Sequence, residues 1–360
     1  MVQDPRVKEA LLYERLDGSV RCTTCERRCV VEPGETGFCG TRKNIDGRLN
    51  TLVYGDISAV AVHPIEHKPL FHFHPGSRVL TVSTWSCNFE CGWCFRKYLS
   101  RGAERVGQGQ FLLPEGALGL LRRHDCHGLA VSFNEPTLLL EWCLDAFPLL
   151  KLEGYYTCII TNGYMSPEAL RLLAGRGLDA VKIDIKGDRD AVHRHCGADV
   201  EKVWRNAVES KRLGLWVEIV TVVVPRVTDS EQCLRGIASR IRQELGVDTP
   251  WHVNAYIPRD DYAFKFYGQA APVEMVSAAR EIGFGENLHY VYAGGYPGPF
   301  QNTLCPSCGE LLVERHGFGF DFFEYRMGSG KRCPKCGTEI PIVGEPVITH
   351  ETGRSFRWNP

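Results

Sequence analysis

The sequence predicts an α/β protein built on a barrel or partial barrel of parallel β/α units, flanked by small cysteine-rich, metal-binding modules. Three observations predict it. Short β-branched or aromatic runs alternate with amphipathic helical stretches through the middle of the 360-residue chain, the pattern left by parallel strands with crossover helices. Cysteine is abundant at 16 residues, and 11 of these fall in three tight groups toward the two ends and at the first strand. A chain of this length carries a prior of about two domains and buries a full core without staples.

Composition narrows the classes further. Lys and Arg number 42 against 43 Asp and Glu, a formal net charge of −1, so there is no electrostatic case for nucleic acid or an anionic membrane as main partner. At 44% hydrophobic and 24% charged residues, disordered and collagen-like classes are excluded. The first residues are charged and lack an apolar leader run. No apolar stretch reaches the ~20 residues of a membrane span; the run 215–224 is broken by Glu218. The expectation is a soluble, cytoplasmic protein. Cytosolic thiols stay reduced, so the grouped cysteines read as ligands of zinc or iron–sulfur centres. The other five (Cys126, Cys143, Cys158, Cys196 and Cys233) read as small core hydrophobes.

Taken in order, residues 1–75 read as a loop-rich module around Cys22, Cys25, Cys29 and Cys39, punctuated by Pro33-Gly34 and Pro75-Gly76. Residues 76–294 carry the barrel. Its strands are expected at 79–85, 128–133, 155–161, 180–186, 216–224, 251–258 and 288–293. Helices are expected at 114–124, 136–150, 167–174, 200–213, 230–245 and 272–282, several opening on Pro, whose missing N–H costs nothing in a first turn. Residues 295–360 form a Gly/Pro-rich C-terminal module around Cys305, Cys308, Cys333 and Cys336, of zinc-ribbon or rubredoxin-like type.

The first strand leads into Thr84-Trp-Ser-Cys87-Asn-Phe-Glu-Cys91-Gly-Trp-Cys94. Parallel β/α folds put their chemistry on loops at the carboxyl ends of strands. Three cysteines spaced x3 and x2 in one loop can ligate three irons of a [4Fe–4S] cluster, leaving the fourth iron open for chemistry. The bland alternative is a zinc knuckle or structural cluster that borrows a distant fourth thiol.

Cys-x3-Cys-x-aromatic-Cys, with Trp93 in the aromatic slot, resembles the radical S-adenosylmethionine (SAM) enzymes. The resemblance implies a partial (β/α)6 TIM-like barrel in which the open iron chelates SAM, with Trp93 beside the adenine. Reductive cleavage would give methionine and a 5′-deoxyadenosyl radical. Nearly the whole chain resembles the radical SAM members of the AmmeMemoRadiSam system, relatives of the pyruvate formate-lyase activating enzymes. The carrying segments are His63-Pro-Ile-Glu-His-Lys-Pro-Leu-Phe-His-Phe-His-Pro-Gly-Ser77, Phe133-Asn-Glu-Pro-Thr137, Thr161-Asn-Gly-Tyr164, Pro250-Trp-His252 and Tyr292-Ala-Gly-Gly. His63, His67 and Phe95-Arg96 depart from the pattern of those members, at positions that flank the first strand and the cluster. The partners implied are Memo-like and AMMECR1-domain proteins, an external one-electron reductant and a protein substrate.

The cofactor contacts implied by the resemblance are Asn134, Glu135 and Pro136, where a carboxylate or backbone acceptor would meet the methionine ammonium, together with Thr161. Asn-Glu-Pro also reads simply as a helix start. In the fourth strand Val181, Ile183 and Ile185 alternate with Lys182, Asp184 and Lys186, so one face is charged and should point into a polar cavity. By resemblance Lys186 meets the SAM carboxylate and Asp184 lies near the ribose or a cation. The activases place an Asp before Thr-Asn-Gly; Ile160 stands there, so no cation site is carried over. His252, alternating with Asn254 and Tyr256, is a substitute candidate for a further contact. The histidines at 63, 67, 72 and 74 read as solvated or packing residues.

The two Cys-Pro-x-Cys-Gly knuckles of the C-terminal quartet, 24 residues apart, favour structural zinc over rubredoxin-like iron, with a Phe/Gly-rich hairpin at 318–325 filling the insert. The N-terminal quartet is less regular; zinc is favoured over a second iron–sulfur cluster. Three functions follow: a radical SAM enzyme of the AmmeMemoRadiSam system, a glycyl-radical-enzyme activase, or a non-catalytic zinc and iron–sulfur electron-transfer scaffold. The open cluster position and the charged strand face argue against the last.

Overall fold

The computed structural model describes residues 4–296, 298–316, 322–327, 330–347 and 357–358. Seven parallel strands lie side by side in sequence order: β1 (Arg78–Ser83), β2 (Gly128–Val131), β3 (Tyr156–Thr161), β4 (Ala180–Asp184), β5 (Trp216–Val223), β6 (Trp251–Ala255) and β7 (Val291–Gly294). Each is parallel to its neighbour. They coincide with the seven expected runs; five end one to three residues sooner, β3 ends at the expected Thr161, and β7 is displaced toward Gly294. The connecting helices are α1 (Pro114–Arg123), α2 (Leu140–Leu152), α3 (Pro167–Gly175), α4 (Arg189–Cys196), α5 (Val200–Arg212), α6 (Glu231–Arg240), α7 (Asp261–Tyr267) and α8 (Val273–Gly285). Six β/α units and a seventh strand make the partial barrel.

Helix α5 shows how the sequence produces this. The Asp199 side chain accepts from Glu201 N at 3.0 Å and starts the helix, a cap worth about 1 kcal/mol. Val203, Trp204 and Ala207 fall on one face and are buried, and Gly214 at φ 80° follows its end. Truncating Trp204 to Ala would cost about 3–5 kcal/mol.

Some details differ from the expectation. The stretch expected as one helix at 136–150 opens with a 3-10 turn, Pro136–Leu139, before α2. Helices α4 and α7 were not expected, being short, the first rich in charged residues and His and the second in aromatic residues. Strand Ala59–Pro64 pairs antiparallel with β1, and Arg357–Trp358 pairs with it in turn, so the sheet gains two antiparallel edge strands from segments 1–75 and 295–360. Residues 65–77 form a strap across the strand-start end of the barrel. His63 in the strand before it and His72 within it are buried, and the rings of His67 and His74 are packed against neighbours, which is the packing role. In the C-terminal module Leu311–His316 and Phe322–Tyr325 pair antiparallel; the middle of the expected 318–325 hairpin, 318–321, lies outside the described residues.

Candidate active site: three thiols on a charged cavity

The loop after β1 carries Cys87, Cys91 and Cys94, and all three line one cavity of 470 Å³ at the carboxyl ends of the strands. That volume is in the range of small-molecule sites. Ser86 at φ 70° and Phe133 at φ 73° are left-handed non-glycine residues at the ends of β1 and β2, the kind of backbone strain that gathers at functional sites. Gly92 is required by its neighbour: a Cβ there would lie 2.2 Å from the Tyr267 hydroxyl. Trp93 is buried, lines the cavity and meets Tyr267 edge-on at 5.5 Å.

The alternation in β4 places its charges where it predicted. Val181, Ile183 and Ile185 join the apolar core, whereas Lys182, Asp184 and Lys186 line the cavity. Asp184 pairs with Lys182 and, at 3.0 Å, with Lys186. Burial alone would raise the Asp184 carboxyl, but the two ammonium groups outweigh it and hold it at about 2. Burial works against the Lys186 ammonium too, and Asp184 with the thiols of Cys91 and Cys196 reverses this, so it stays charged.

Asn134 and Glu135 are engaged as clamps. Asn134 accepts from Thr84 N at 3.2 Å and donates to Ser86 O at 2.9 Å, fixing the start of the cysteine loop. One oxygen of Glu135 accepts from Thr137 N (3.1 Å), Thr137 Oγ1 (2.5 Å) and Thr161 Oγ1 (2.8 Å), and the other from Asn162 N (2.9 Å). The carboxylate ties the ends of β2 and β3 together and caps the turn that begins at Pro136. Burial raises its carboxyl, against the pull of these donors.

His252 lies off the cysteine cavity, on an adjoining cavity of 360 Å³. Its Nε2 is 2.7 Å from Glu218 Oε2. The two cavities share His67 and Pro69 of the strap, Phe95, Asn254 and Gly295.

The sequence model of the radical SAM superfamily matches residues 82–233. An uncharacterized protein of Methanocaldococcus jannaschii is 37% identical over 339 residues, covering 94% of this chain and 100% of its own length. The chain belongs to the radical SAM superfamily. The pyruvate formate-lyase-activating enzyme of Clostridium pasteurianum is 27% identical over 209 residues, 54% of this chain and 84% of that one. A domain of a pyruvate-formate lyase-activating enzyme from Bacteroides vulgatus superposes with a TM-score of 0.40 at 19% identity, over 47% of this chain and 99% of that one.

Radical SAM enzymes use a [4Fe–4S] cluster and SAM, and the donor set here fits both. Cys87 Sγ accepts from Phe89 N at 3.4 Å and Asn162 Nδ2 at 3.7 Å, and Cys94 Sγ from Ser100 Oγ at 3.2 Å. Such N–H and O–H donors stabilise thiolates that carry a metal cluster. The charged β4 row suits a zwitterionic amino acid.

Sequence reasoning missed Cys196. It is buried in the core as expected, but it also meets the cysteine loop: at the end of α4, its Sγ lies 3.3 Å from Cys91 Sγ, and its thiol lowers the Cys91 thiol despite burial. No local spacing betrays a contact made across 105 residues. Glu218 was read only as a break in an apolar run. It is a fully buried hub accepting from Phe71 N (3.0 Å), His72 N (2.9 Å) and Trp216 Nε1 (2.9 Å) besides facing His252.

The four C-terminal sulfurs all lie within 4.8 Å of one another, with Cys305 to Cys336 at 3.5 Å and Cys308 to Cys333 at 3.6 Å. That is a donor set for one tetrahedral ion. Cys22, Cys25, Cys29 and Cys39 surround a cavity of their own. Among the described residues no helix is long and apolar enough to cross a membrane.

Proposed function

We propose that this radical SAM enzyme binds its cluster through Cys87, Cys91 and Cys94 and holds SAM along the Lys182–Asp184–Lys186 row. Lys186 would meet the SAM carboxylate and Trp93 the adenine. The single observation that carries the reading is the convergence of the three thiols and the charged β4 face on one cavity. When bound and reduced by an external one-electron donor, the cofactors supply a 5′-deoxyadenosyl radical that takes a hydrogen atom from substrate. The chain's own part is to orient SAM, keep the row charged and shield the cavity.

The substrate belongs, in this reading, to the AmmeMemoRadiSam system, with Memo-like and AMMECR1-domain proteins as partners. A protein substrate is supported by the cavity rim. Phe95 is 49% exposed, and Tyr262, Phe264 and Phe266 on α7 are 46%, 53% and 54% exposed, more clustered aromatic surface than a solvated rim needs. Arg259 stacks over Phe95 at 4.0 Å and Lys97 over Tyr262 at 4.3 Å. Phe95 and Arg96, where the chain departs from the system's pattern, stand at this entrance. A second reading, a glycyl-radical-enzyme activase, is favoured by the similarity to the Clostridium activating enzyme.

Anaerobically reconstituted protein should release 5′-deoxyadenosine from SAM on reduction, and Cys87→Ala, Cys91→Ala or Cys94→Ala should each abolish it. Undiminished release in any of the three ends the proposal. A glycine-centred radical formed on a co-purified partner, seen by electron paramagnetic resonance, would select the activase reading.

A further inference from the structure

We propose that Cys22, Cys25, Cys29 and Cys39 hold a second iron–sulfur cluster, set against the loop that holds the first and joined to it through Asn88. The proposal rests on the cluster at Cys87, Cys91 and Cys94 for its role, but not for its existence.

The spacing of the sulfurs is the first argument. A single tetrahedral ion with metal–sulfur bonds of ~2.3 Å draws its thiolates to within ~4 Å of each other, as at the C-terminal quartet. Among the described residues only that quartet brings three or more ligand atoms within 4.8 Å. The N-terminal thiols ring one cavity yet stand farther apart, as do Cys87, Cys91 and Cys94. A multi-iron cluster carries its thiolates on separate irons and so spreads them wider than one ion does.

Unused donors are the second argument. Arg42 is 2% exposed and lines this cavity. Its Nη1 donates to Glu141 Oε1 at 2.6 Å and its Nη2 to Leu138 O at 3.4 Å, while its Nε has no partner among the described residues. The Arg42 charge interacts with Cys22 and Cys39. Asn88, fully buried, also lines the cavity; its Nδ2 has no oxygen or nitrogen acceptor and acts on the Cys25 thiol of the quartet, pulling it down against the effect of burial. A buried guanidinium Nε and a buried amide short of acceptors are costly; an anionic thiolate-bound cluster would accept from both.

Position supplies the role. Asn88 Oδ1 accepts from Asn162 Nδ2 at 2.7 Å and lies 3.9 Å from Cys87 Sγ, so one side chain spans from the quartet's cavity to the first cluster's ligand. Arg27, between Cys25 and Cys29, donates from Nε to Asn88 O at 2.8 Å and from Nη2 to Cys196 O at 3.3 Å. The quartet module thus grips the cysteine loop. In each transfer an external low-potential carrier loses one electron to the second cluster, which is reoxidised as it reduces the first.

The test uses the full chain carrying Cys87→Ala, Cys91→Ala and Cys94→Ala together, which leaves the quartet intact. Iron, acid-labile sulfide and zinc are measured, with Mössbauer spectra, beside wild type. The triple variant should keep about four irons with sulfide and a cluster spectrum, half the wild-type iron, and about one zinc. A triple variant with no iron and about two zincs overturns the second cluster. A triple variant whose iron equals that of wild type would instead sink the first-cluster reading. In reduced wild type, the two neighbouring paramagnets should broaden each other's resonance, and the broadening should vanish in the triple variant; a wild-type spectrum that is a plain sum overturns the relay.

Discussion

In the proposed site the charge state of the β4 row would decide how SAM is held. Asp184, held at about 2 between two ammonium groups, is ionised throughout the working range, and the row keeps one net positive charge. Because its folded value lies below the ordinary carboxylate value, its contribution to stability is complete above pH ~4 and fades only as pH falls toward 2. SAM affinity should therefore be flat from about pH 5 to 8, as isothermal titration would read. Lys186→Ala should weaken SAM binding about 10- to 100-fold, the value of one charge-assisted hydrogen bond, with cluster iron unchanged; normal affinity would mean that the row does not meet the carboxylate. Cys196→Ala should assemble a normal cluster, since Cys196 is not one of the three ligands. Removing its thiol from Cys91 takes away a hydrogen bond that favours the more negative, reduced cluster. The reduction potential should fall by about 20–60 mV in a spectroscopic redox titration. The three thiols that meet on the cavity were legible because their spacing is local and chemically specific. Glu135 was found for a different task, and Cys196 was hidden because its partner comes from another β/α unit.

The strands and helices of the barrel were readable because each obeys one period, as Val181 to Lys186 do. The strap 65–77 obeys none. Its Pro, His and Phe residues look like loop, and its course is set by partners far away in the chain, above all the buried acceptor Glu218 on β5, to which it delivers two backbone N–H groups. Glu218→Leu would leave Phe71 N, His72 N and the Trp216 indole without acceptors and should cost about 3–5 kcal/mol, measured by urea unfolding; Glu218→Gln, which keeps one acceptor, should cost less. His72 gives the strap a pH signature. Burial depresses its imidazole to about 4, so the unfolded chain binds the proton more readily. Its contribution is fully present above pH ~6.5 and is lost as pH falls toward 4, by up to about 3 kcal/mol. The unfolding midpoint should fall over that window, and His72→Gln should flatten the slope.

At the scale of the whole molecule the two quartets face opposite ends of the barrel, and this separates what their loss should do. The N-terminal quartet grips the carboxyl ends of the strands. Glu26 N donates to Tyr164 O at 3.0 Å and Ser166 N to Thr24 O at 3.1 Å, on the loop that follows β3. The C-terminal module meets the strand-start end through the strap. Arg315 donates to Phe71 O at 2.9 Å and to Thr303 Oγ1 at 2.9 Å. His72 lies between Pro341 O at 2.9 Å and the Tyr292 hydroxyl at 2.6 Å. Sequence reasoning located both quartets but had no means of seeing these attachments, which depend on single side chains far apart in the chain. A small module of this kind draws much of its folding free energy from its metal. Cys305→Ser should therefore remove one metal ion and loosen residues 303–347. Because Arg315 and Pro341 belong to that module, the strap should lose two of its anchors, so protease cleavage and hydrogen exchange should rise at 65–77 as well. The cysteine loop hangs from the other end, on Asn134 and Arg27, and its iron should survive, while SAM affinity should fall only as far as His67, Lys68 and Pro69 of the strap contribute to the cavity they line. Loss of the loop's iron in Cys305→Ser would mean that the two ends of the barrel are mechanically coupled after all, and hydrogen exchange on that variant would then show protection falling at Cys87 to Cys94.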